Sequence, residues 1–226
     1  MTKHKKEEGD FNVEDALTTS EAFLVKNRNA LIGGFIAIIV IIAGLLIYKN
    51  AYAGPREKKA QDAIYLGEYY FNNDQYDLAL HGDSISFNGL IKVANEYGST
   101  KSGNLANYYI GISFQKLGQY NEAINYLEKF SSKDQMVYPA SLLALGNCYV
   151  EVDNPEKAIS TLQKAASVAN NNSISPLALR QAGILLEKQG KFKQAIEQYT
   201  KVKEEFYNSS VAMDIDKYIE RAKAQL

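Results

Sequence analysis

Residues 111–123, GISFQKLGQYNEA, carry the pattern that decides the fold. A glycine is followed three residues later by an aromatic residue or leucine, and twelve residues later by an alanine that precedes an aliphatic residue. The same phrase occurs four times in the chain. Its glycines are Gly67, Gly111, Gly146 and Gly183, and its alanines are Ala79, Ala123, Ala158 and Ala195.

The spacing of this phrase predicts stacked pairs of helices. Successive glycines are 44, 35 and 37 residues apart, close to the ~34-residue period of the tetratricopeptide repeat, whose pattern is L-G-x2-Y followed by A-x3-F. Glycine and alanine let the two helices of a repeat pack closely, whereas a larger side chain would hold them apart. We therefore predict an all-α fold with a tetratricopeptide-repeat (TPR) solenoid.

The repeats and the end of the stack follow from the same alignment. Residues 208–226 predict a capping helix, because Val211, Ile215, Tyr218 and Ala222 form an apolar stripe on an otherwise charged helix. In the first repeat, His81–Gly89 interrupts the second helix, which resumes at Leu90. The repeats are predicted at about 60–103, 104–138, 139–175 and 176–207.

A second stretch, residues 30–48 (ALIGGFIAIIVIIAGLLIY), predicts a transmembrane helix. At ~1.5 Å per residue its length is roughly 28 Å, close to the ~30 Å hydrocarbon thickness of a bilayer. A cleaved signal peptide is the alternative, but its apolar region usually has only ~7–15 residues. Residues 1–29 are predicted as a cytoplasmic tail with a short amphipathic helix at 13–27, and residues 49–59, with Gly54-Pro55, as a linker.

Charge restricts the location and the partners. Residues 49–226 hold 20 basic and 20 acidic residues, which argues against a nucleic-acid binder. The basic residues that flank the apolar run are nearly balanced, so they barely favour one orientation. A long C-terminal domain can cross regardless of that count, and we favour a single-pass protein with a cytoplasmic N-terminus and the repeats on the other side of the membrane.

The sequence predicts no catalytic, metal or cofactor site, and no small-molecule substrate. The two histidines, His4 and His81, lie far apart in sequence. Residues 98–103 (GSTKSG) imitate a phosphate-binding loop but lack the Lys-Ser/Thr that must follow the last glycine. We interpret them as the turn into the next helix, which would begin at Gly103-Asn104. Cys148 is interpreted as a core residue, and Asp74, Asp77 and Asp83 lack the ligand spacing of a calcium loop.

A protein-binding surface remains as the functional expectation. In TPR stacks the first helix of each repeat lines a concave groove, and helical spacing selects three residues from each such helix. Polar residues that would clamp a C-terminal carboxylate are replaced by Tyr108, Ile112, Ala144 and Leu177, so an apolar extended segment or partner helix fits better. The candidate groove residues are Ile64, Glu68, Phe71, Tyr108, Ile112, Gln115, Leu143, Asn147, Val150, Arg180, Ile184 and Glu187.

The whole layout resembles the bacterial YfgM-type inner-membrane TPR proteins. The resemblance rests on the order of tail, membrane helix and repeats, and on the phrases at 80–83 (LHGD), 106–111 (ANYYIG) and 119–130 (QYNEAINYLEKF). It implies a periplasmic repeat domain, association with the SecYEG protein-export channel, and contacts with periplasmic chaperones or exported proteins. The alternative is an N-terminally anchored TPR receptor whose repeats face the cytosol.

Overall fold

The computed structural model describes residues 21–83 and 85–226, and every regular element in these ranges is helical. The chain divides into two units, Met1–Pro55 and Arg56–Leu226. Most of the predicted amphipathic helix at 13–27 lies outside the described residues.

In the first unit, helix α1 (Arg28–Tyr48) is long and apolar enough to cross a membrane. None of its residues is buried by the described parts of the chain.

The segment at 49–59, which was predicted as a linker, is helical. Lys49–Ala53 forms a π-helical turn, and helix α2 then runs over Gly54–Asn72. The helix is not interrupted at Gly54-Pro55, because Pro55 lies in the first turn of α2. Proline is tolerated there, since its φ suits a helix and its missing N–H has little consequence.

The second unit is a stack of helix pairs that ends in a cap. The first helices of the four repeats are α2, α5 (Lys101–Lys116), α7 (Val137–Glu151) and α9 (Ser175–Lys188). The second helices are α3 (Tyr76–His81) with α4 (Leu90–Tyr97), α6 (Tyr120–Leu127), α8 (Pro155–Ala169) and α10 (Phe192–Glu205). Consecutive helices from α3 onward pack against each other. A 3₁₀ turn (Ala212–Asp214) and the capping helix α11 (Ile215–Lys223) follow the last repeat.

The repeat glycines lie where the two helices of a repeat come closest. A Cβ atom on Gly111 would lie 2.5 Å from Cγ of Leu127, and one on Gly146 would lie 2.7 Å from Cγ of Leu162. These leucines stand four residues after the repeat alanine, and Tyr199 holds the same position opposite Gly183. All four repeat alanines are fully buried. The glycines therefore leave room for one large side chain from the second helix.

The turn between the two helices of each repeat contains one residue with positive φ. Two are glycines, Gly118 (φ 74°) and Gly190 (φ 70°), and two are aspartates, Asp74 (φ 57°) and Asp153 (φ 54°). Each stands five residues before the repeat alanine. A residue in the left-handed region ends the first helix and turns the chain into the second.

Candidate protein-binding surface

The predicted groove residues lie on the first helices of the repeats, α2, α5, α7 and α9. All but one keep part of their surface accessible. The exception is Ile64, which is 4% exposed and belongs to the core. As a contact residue Ile64 was a wrong prediction, because packing within the first repeat covers it.

In the first two repeats this surface is aromatic. The rings of Phe71 and Tyr109 meet edge to face with centroids 4.9 Å apart, and Tyr108 lies 5.5 Å from Phe130. Burial and the neighbouring Glu68 carboxylate raise the pKa of Tyr109 to about 12. The phenol therefore stays neutral at physiological pH, and these side chains offer area for apolar contact rather than charge.

Between the second and third repeats, the groove residue Gln115 contributes to packing. Its Nε2 donates a hydrogen bond to the carbonyl of Ala144 at 3.2 Å, which joins α5 to α7. Ile112 on the same helix is half-buried against the core. The side-chain NH₂ of Gln115 therefore already donates one hydrogen bond within the protein.

The third and fourth repeats hold a surface cavity of about 340 Å³ between α7 and α9. Three candidate groove residues line it, namely Asn147, Val150 and Ile184. Val150 is 36% exposed, so its aliphatic side chain reaches solvent. Amide side chains, one acidic side chain and one basic side chain line the same cavity. The remaining lining residues are Glu151, Gln181, Leu185 and Lys188.

Sequence reasoning missed these last four residues, although the signal for two of them was present. Gln181 and Lys188 stand three residues before and four residues after Ile184, so helical spacing places them on its face. Glu151 directly follows Val150 and forms the rim. Leu185 is mostly buried and gives no surface signal in the sequence.

Two further candidate groove residues, Arg180 and Glu187, contact charged side chains of the C-terminal segment. Arg180 Nη1 lies 4.0 Å from Oδ1 of Asp214, and the Arg221 guanidinium forms an ion pair with Glu187. The hydrogen bond with Glu187 raises the pKa of Arg221. Helix α11 thus covers the end of the surface at the fourth repeat, so these two residues are less available to a partner than spacing alone suggests.

The phosphate-loop imitation at 98–103 is the start of α5. Helix α5 begins at Lys101 with Thr100 as its N-cap, not at Gly103-Asn104 as predicted. The Glu57 carboxylate accepts hydrogen bonds from the backbone N–H of Lys101 (2.6 Å) and Ser102 (3.1 Å) and from the Ser102 hydroxyl (2.7 Å). Partial burial raises the pKa of Glu57, but these hydrogen bonds together lower it. A protein carboxylate therefore takes the position that a phosphate would need.

The other reactive groups have structural surroundings. Cys148 is a fully buried free thiol, and burial, with the nearby Glu151 charge, raises its pKa to about 11. Such a thiol is a poor nucleophile at physiological pH. Within residues 21–83 and 85–226, no group of His, Cys, Asp and Glu side chains could hold a metal ion.

Solved structures of other proteins share this fold. A putative kinesin light chain with TPR-like repeats from Podosopora anserina is 15% identical, with a TM-score of 0.54, over 75% of this chain and 87% of that chain. A single-residue variant of the same protein matches at 14% identity with the same TM-score and coverage. At this identity the likeness shows the fold alone.

Sequence comparisons match this chain to a family model and to a relative. Residues 111–222 match the family model described as the C-terminal domain of Suppressor of spindle checkpoint defect 1. Response regulator aspartate phosphatase E of Bacillus subtilis (strain 168) is 25% identical over 153 residues, which are 64% of this chain and 40% of the relative. The chain thus spans about two fifths of the length of that relative.

Fold and surface together define the class. The chain is an all-α protein with TPR-like repeats. Its accessible first-helix surface is aromatic in the early repeats and has a mixed cavity in the later ones.

Proposed function

We propose that this chain is a membrane-anchored scaffold of the bacterial inner membrane, similar to the YfgM-type proteins. Its periplasmic repeats associate with the SecYEG channel through apolar contacts and also bind exported proteins or periplasmic chaperones. Support for the anchor comes from α1, which has the length and composition of a membrane span.

The observation that carries the proposal is the cavity between α7 and α9. Val150 and Ile184 supply apolar area, while Asn147 and Gln181 supply amides at its edge. An apolar side chain of a partner fills such a space and removes surface from water, at about 25 cal/mol per Å² buried. The amides can hydrogen-bond to polar groups of the same partner, which fixes its orientation.

Site-specific photocrosslinking in living bacteria tests this proposal. A benzoylphenylalanine residue at position 150 is expected to crosslink to a SecYEG subunit, detected with an antibody against that subunit. Ser160, which is exposed on α8, is the control position and should give no such product. Ile184→Glu should weaken the crosslink from position 150, because a carboxylate would replace part of the apolar lining that the partner contacts.

The orientation is tested separately. Protease added to intact spheroplasts is expected to digest the repeats if they are periplasmic. Survival of the repeat domain would favour the alternative receptor whose repeats face the cytosol. Equal SecYEG crosslinking from Val150 and Ser160 would reject the cavity as the contact site.

A further inference from the structure

Two neighbouring tyrosines stand where the apolar helix α1 ends. Tyr48 is the last residue of α1, and Tyr52 lies in the π-helical turn Lys49–Ala53 that follows it. Their ring centroids are 5.5 Å apart, and the ring planes are inclined by 31°. The two residues are 58% and 54% exposed, so the described parts of the chain leave most of both rings uncovered. We call them the tyrosine pair.

The side chains change from apolar to polar at the tyrosine pair. Residues 30–47 contain no charged or amide side chain. At ~1.5 Å per residue they extend over roughly 27 Å, close to the ~30 Å hydrocarbon thickness of a bilayer. Lys49 and Asn50 follow directly, and both are exposed. Because an ammonium group is costly in hydrocarbon and extends toward the lipid headgroups, the side chains put the edge of the hydrocarbon at Tyr48.

The main chain gives the same boundary independently. In the π-helical turn, the N–H of Gly54 bonds to the carbonyl of Lys49, five residues earlier. Pro55 has no N–H. The carbonyl of Asn50 therefore receives neither of the donors, at positions 54 and 55, that an α-helical or a π-helical bond would use. Such a carbonyl is costly in hydrocarbon, where no water can bond to it, so this turn fits the hydrated headgroup region.

Tyrosine has the chemistry that this boundary requires. Its ring is apolar and its hydroxyl is polar, and tyrosine is enriched where membranes meet water. The ring can pack against the first methylene groups of the acyl chains while the hydroxyl donates a hydrogen bond to a lipid ester carbonyl. The headgroup region is roughly 5–8 Å thick on each side of a bilayer. Since the two centroids are 5.5 Å apart, one headgroup region accommodates both rings.

The surroundings of the pair oppose a shift of α1 in either direction. A shift of the turn into the bilayer would bring the Lys49 ammonium and the Asn50 carbonyl into hydrocarbon. A shift outward would expose Leu46 and Ile47 to water, at about 25 cal/mol per Å² of apolar surface. The tyrosine pair lies between these two groups, where an amphipathic ring gains from both surroundings.

We propose that the tyrosine pair binds the boundary between the headgroups and the acyl chains of a phospholipid bilayer and fixes the depth at which α1 crosses it. The ammonium of Lys49 pairs with a lipid phosphate beside the two rings. This inference rests on the membrane anchor of the proposed function, but it needs neither SecYEG nor a particular orientation of the repeats.

Tryptophan fluorescence in lipid vesicles tests the depth of the pair. The chain has no tryptophan, so Tyr52→Trp introduces a single fluorophore into the full chain. The protein is reconstituted into vesicles of phosphatidylethanolamine and phosphatidylglycerol with brominated acyl chains, which quench tryptophan at the depth of the bromine. Bromine near the headgroup should quench position 52 more strongly than bromine near the chain end. Ile39→Trp, halfway along the apolar run, is the depth control and should show the opposite order.

A second comparison tests whether the pair fixes this depth. In the Ile39→Trp protein, Tyr48→Ala with Tyr52→Ala should lower the ratio of deep to shallow quenching, because any displacement moves position 39 away from the bilayer centre. Phe35→Ala in the same background is the matched control. Its ring lies inside the apolar run, so its loss should leave the ratio unchanged.

The possible failures are distinguishable. Equal or stronger quenching of position 52 by deep bromine would overturn the inference. Quenching of position 52 by soluble acrylamide but by neither brominated lipid would also overturn it, since the pair would then face water. An unchanged ratio after removal of both rings would contradict their role in fixing the depth. If brominated lipids fail to quench position 39 as well, α1 is not inserted, and the membrane anchor of the proposed function fails too.

Discussion

The first and third repeats fill the space over the repeat glycine with leucines from different positions of the repeat. In the third repeat, α8 runs without a break, and Leu162 fills the space over Gly146 from its place four residues after the alanine. In the first repeat that place holds Asp83, whose charge could not be buried there. The chain leaves the helix after His81, and α4 begins at Leu90, as the sequence predicted.

Leu90 takes the role of Leu162 in the first repeat. A Cβ on Gly67 would lie 2.3 Å from Cδ2 of Leu90, and Leu90 is fully buried. The displaced Asp83 instead organises the connecting loop, because its carboxylate accepts hydrogen bonds from three backbone N–H groups at 2.8–3.0 Å and from the Tyr70 hydroxyl at 2.8 Å. The repeat therefore requires an apolar volume at one point in space, and different parts of the chain can provide it.

The strongest test of this equivalence removes the two leucines. Leu90→Ala and Leu162→Ala should each lower the free energy of unfolding by about 2–5 kcal/mol, since both leave a cavity at a fully buried site. Chemical denaturation of the full chain in detergent micelles, followed by circular dichroism, measures the loss. Leu117→Ala, at a 42% exposed position, is the control and should cost below about 0.5 kcal/mol. If Leu90→Ala costs no more than this control, Leu90 does not replace Leu162.

A smaller effect is expected when the glycines acquire a methyl group. Gly67→Ala and Gly146→Ala should each cost about 1–3 kcal/mol through overpacking. The loss should be larger at Gly67, because the methyl group would lie 2.3 Å from Leu90 and 2.9 Å from the Phe87 ring, against 2.7 Å from Leu162. The same denaturation assay measures both. In the double variant Gly67→Ala/Leu90→Ala, the total loss of unfolding free energy should be smaller than the sum of the losses in the two single variants. A double variant that loses the full sum would contradict the contact between the two residues.

The smallest loss of stability is expected when Asp83 is replaced, because solvent reaches the loop and water can replace the lost hydrogen bonds. Donation by the Ser86 hydroxyl and the Phe87 N–H lowers the pKa of Asp83 from its usual 3.8. Asp83→Ala should lower the Tm at neutral pH. Because the folded pKa lies below the unfolded one, this stabilisation is complete above about pH 4 and is lost as the pH falls further.

Thermal unfolding from neutral pH down to about pH 2 checks this dependence. The Tm difference between Asp83→Ala and the wild type should narrow at the acidic end. Asp77→Ala is the control, because the contact of Asp77 with His81 at 3.9 Å is exposed, and exposed pairs contribute little. A Tm difference that stays constant with pH would show that Asp83 acts only through the shape of the loop.

The fold was predictable because its pattern is local and repeated. The spacing of Gly111 from Ala123, and its three copies, predicted the solenoid, and the interruption after His81 was visible as a run of loop-forming residues. Two local details were wrong: α2 extends through Pro55, and α5 begins at Lys101. Both are helix boundaries, where capping and neighbouring segments outweigh the propensity of single residues.

The candidate surface was less predictable than the fold. Helical spacing selected Asn147, Val150 and Ile184, which the structure brings to one cavity. The same spacing also selected Ile64, which is in the core, and Glu187, which is paired with Arg221 of the cap. Spacing identifies the face of a helix, but it contains no information about which neighbouring segment covers that face.

The sequence by itself determined that this protein consists of helix pairs with a close contact at each repeat glycine, and that it has one apolar stretch long enough to cross a membrane. These properties follow from periodicity and residue size within short segments. Only the tertiary structure decided that Leu90 fills the space over Gly67, that α11 covers the end of the first-helix surface, and that Asn147 and Gln181 share one cavity. Each of these depends on segments distant in sequence, whose relative positions are set by packing of the whole stack.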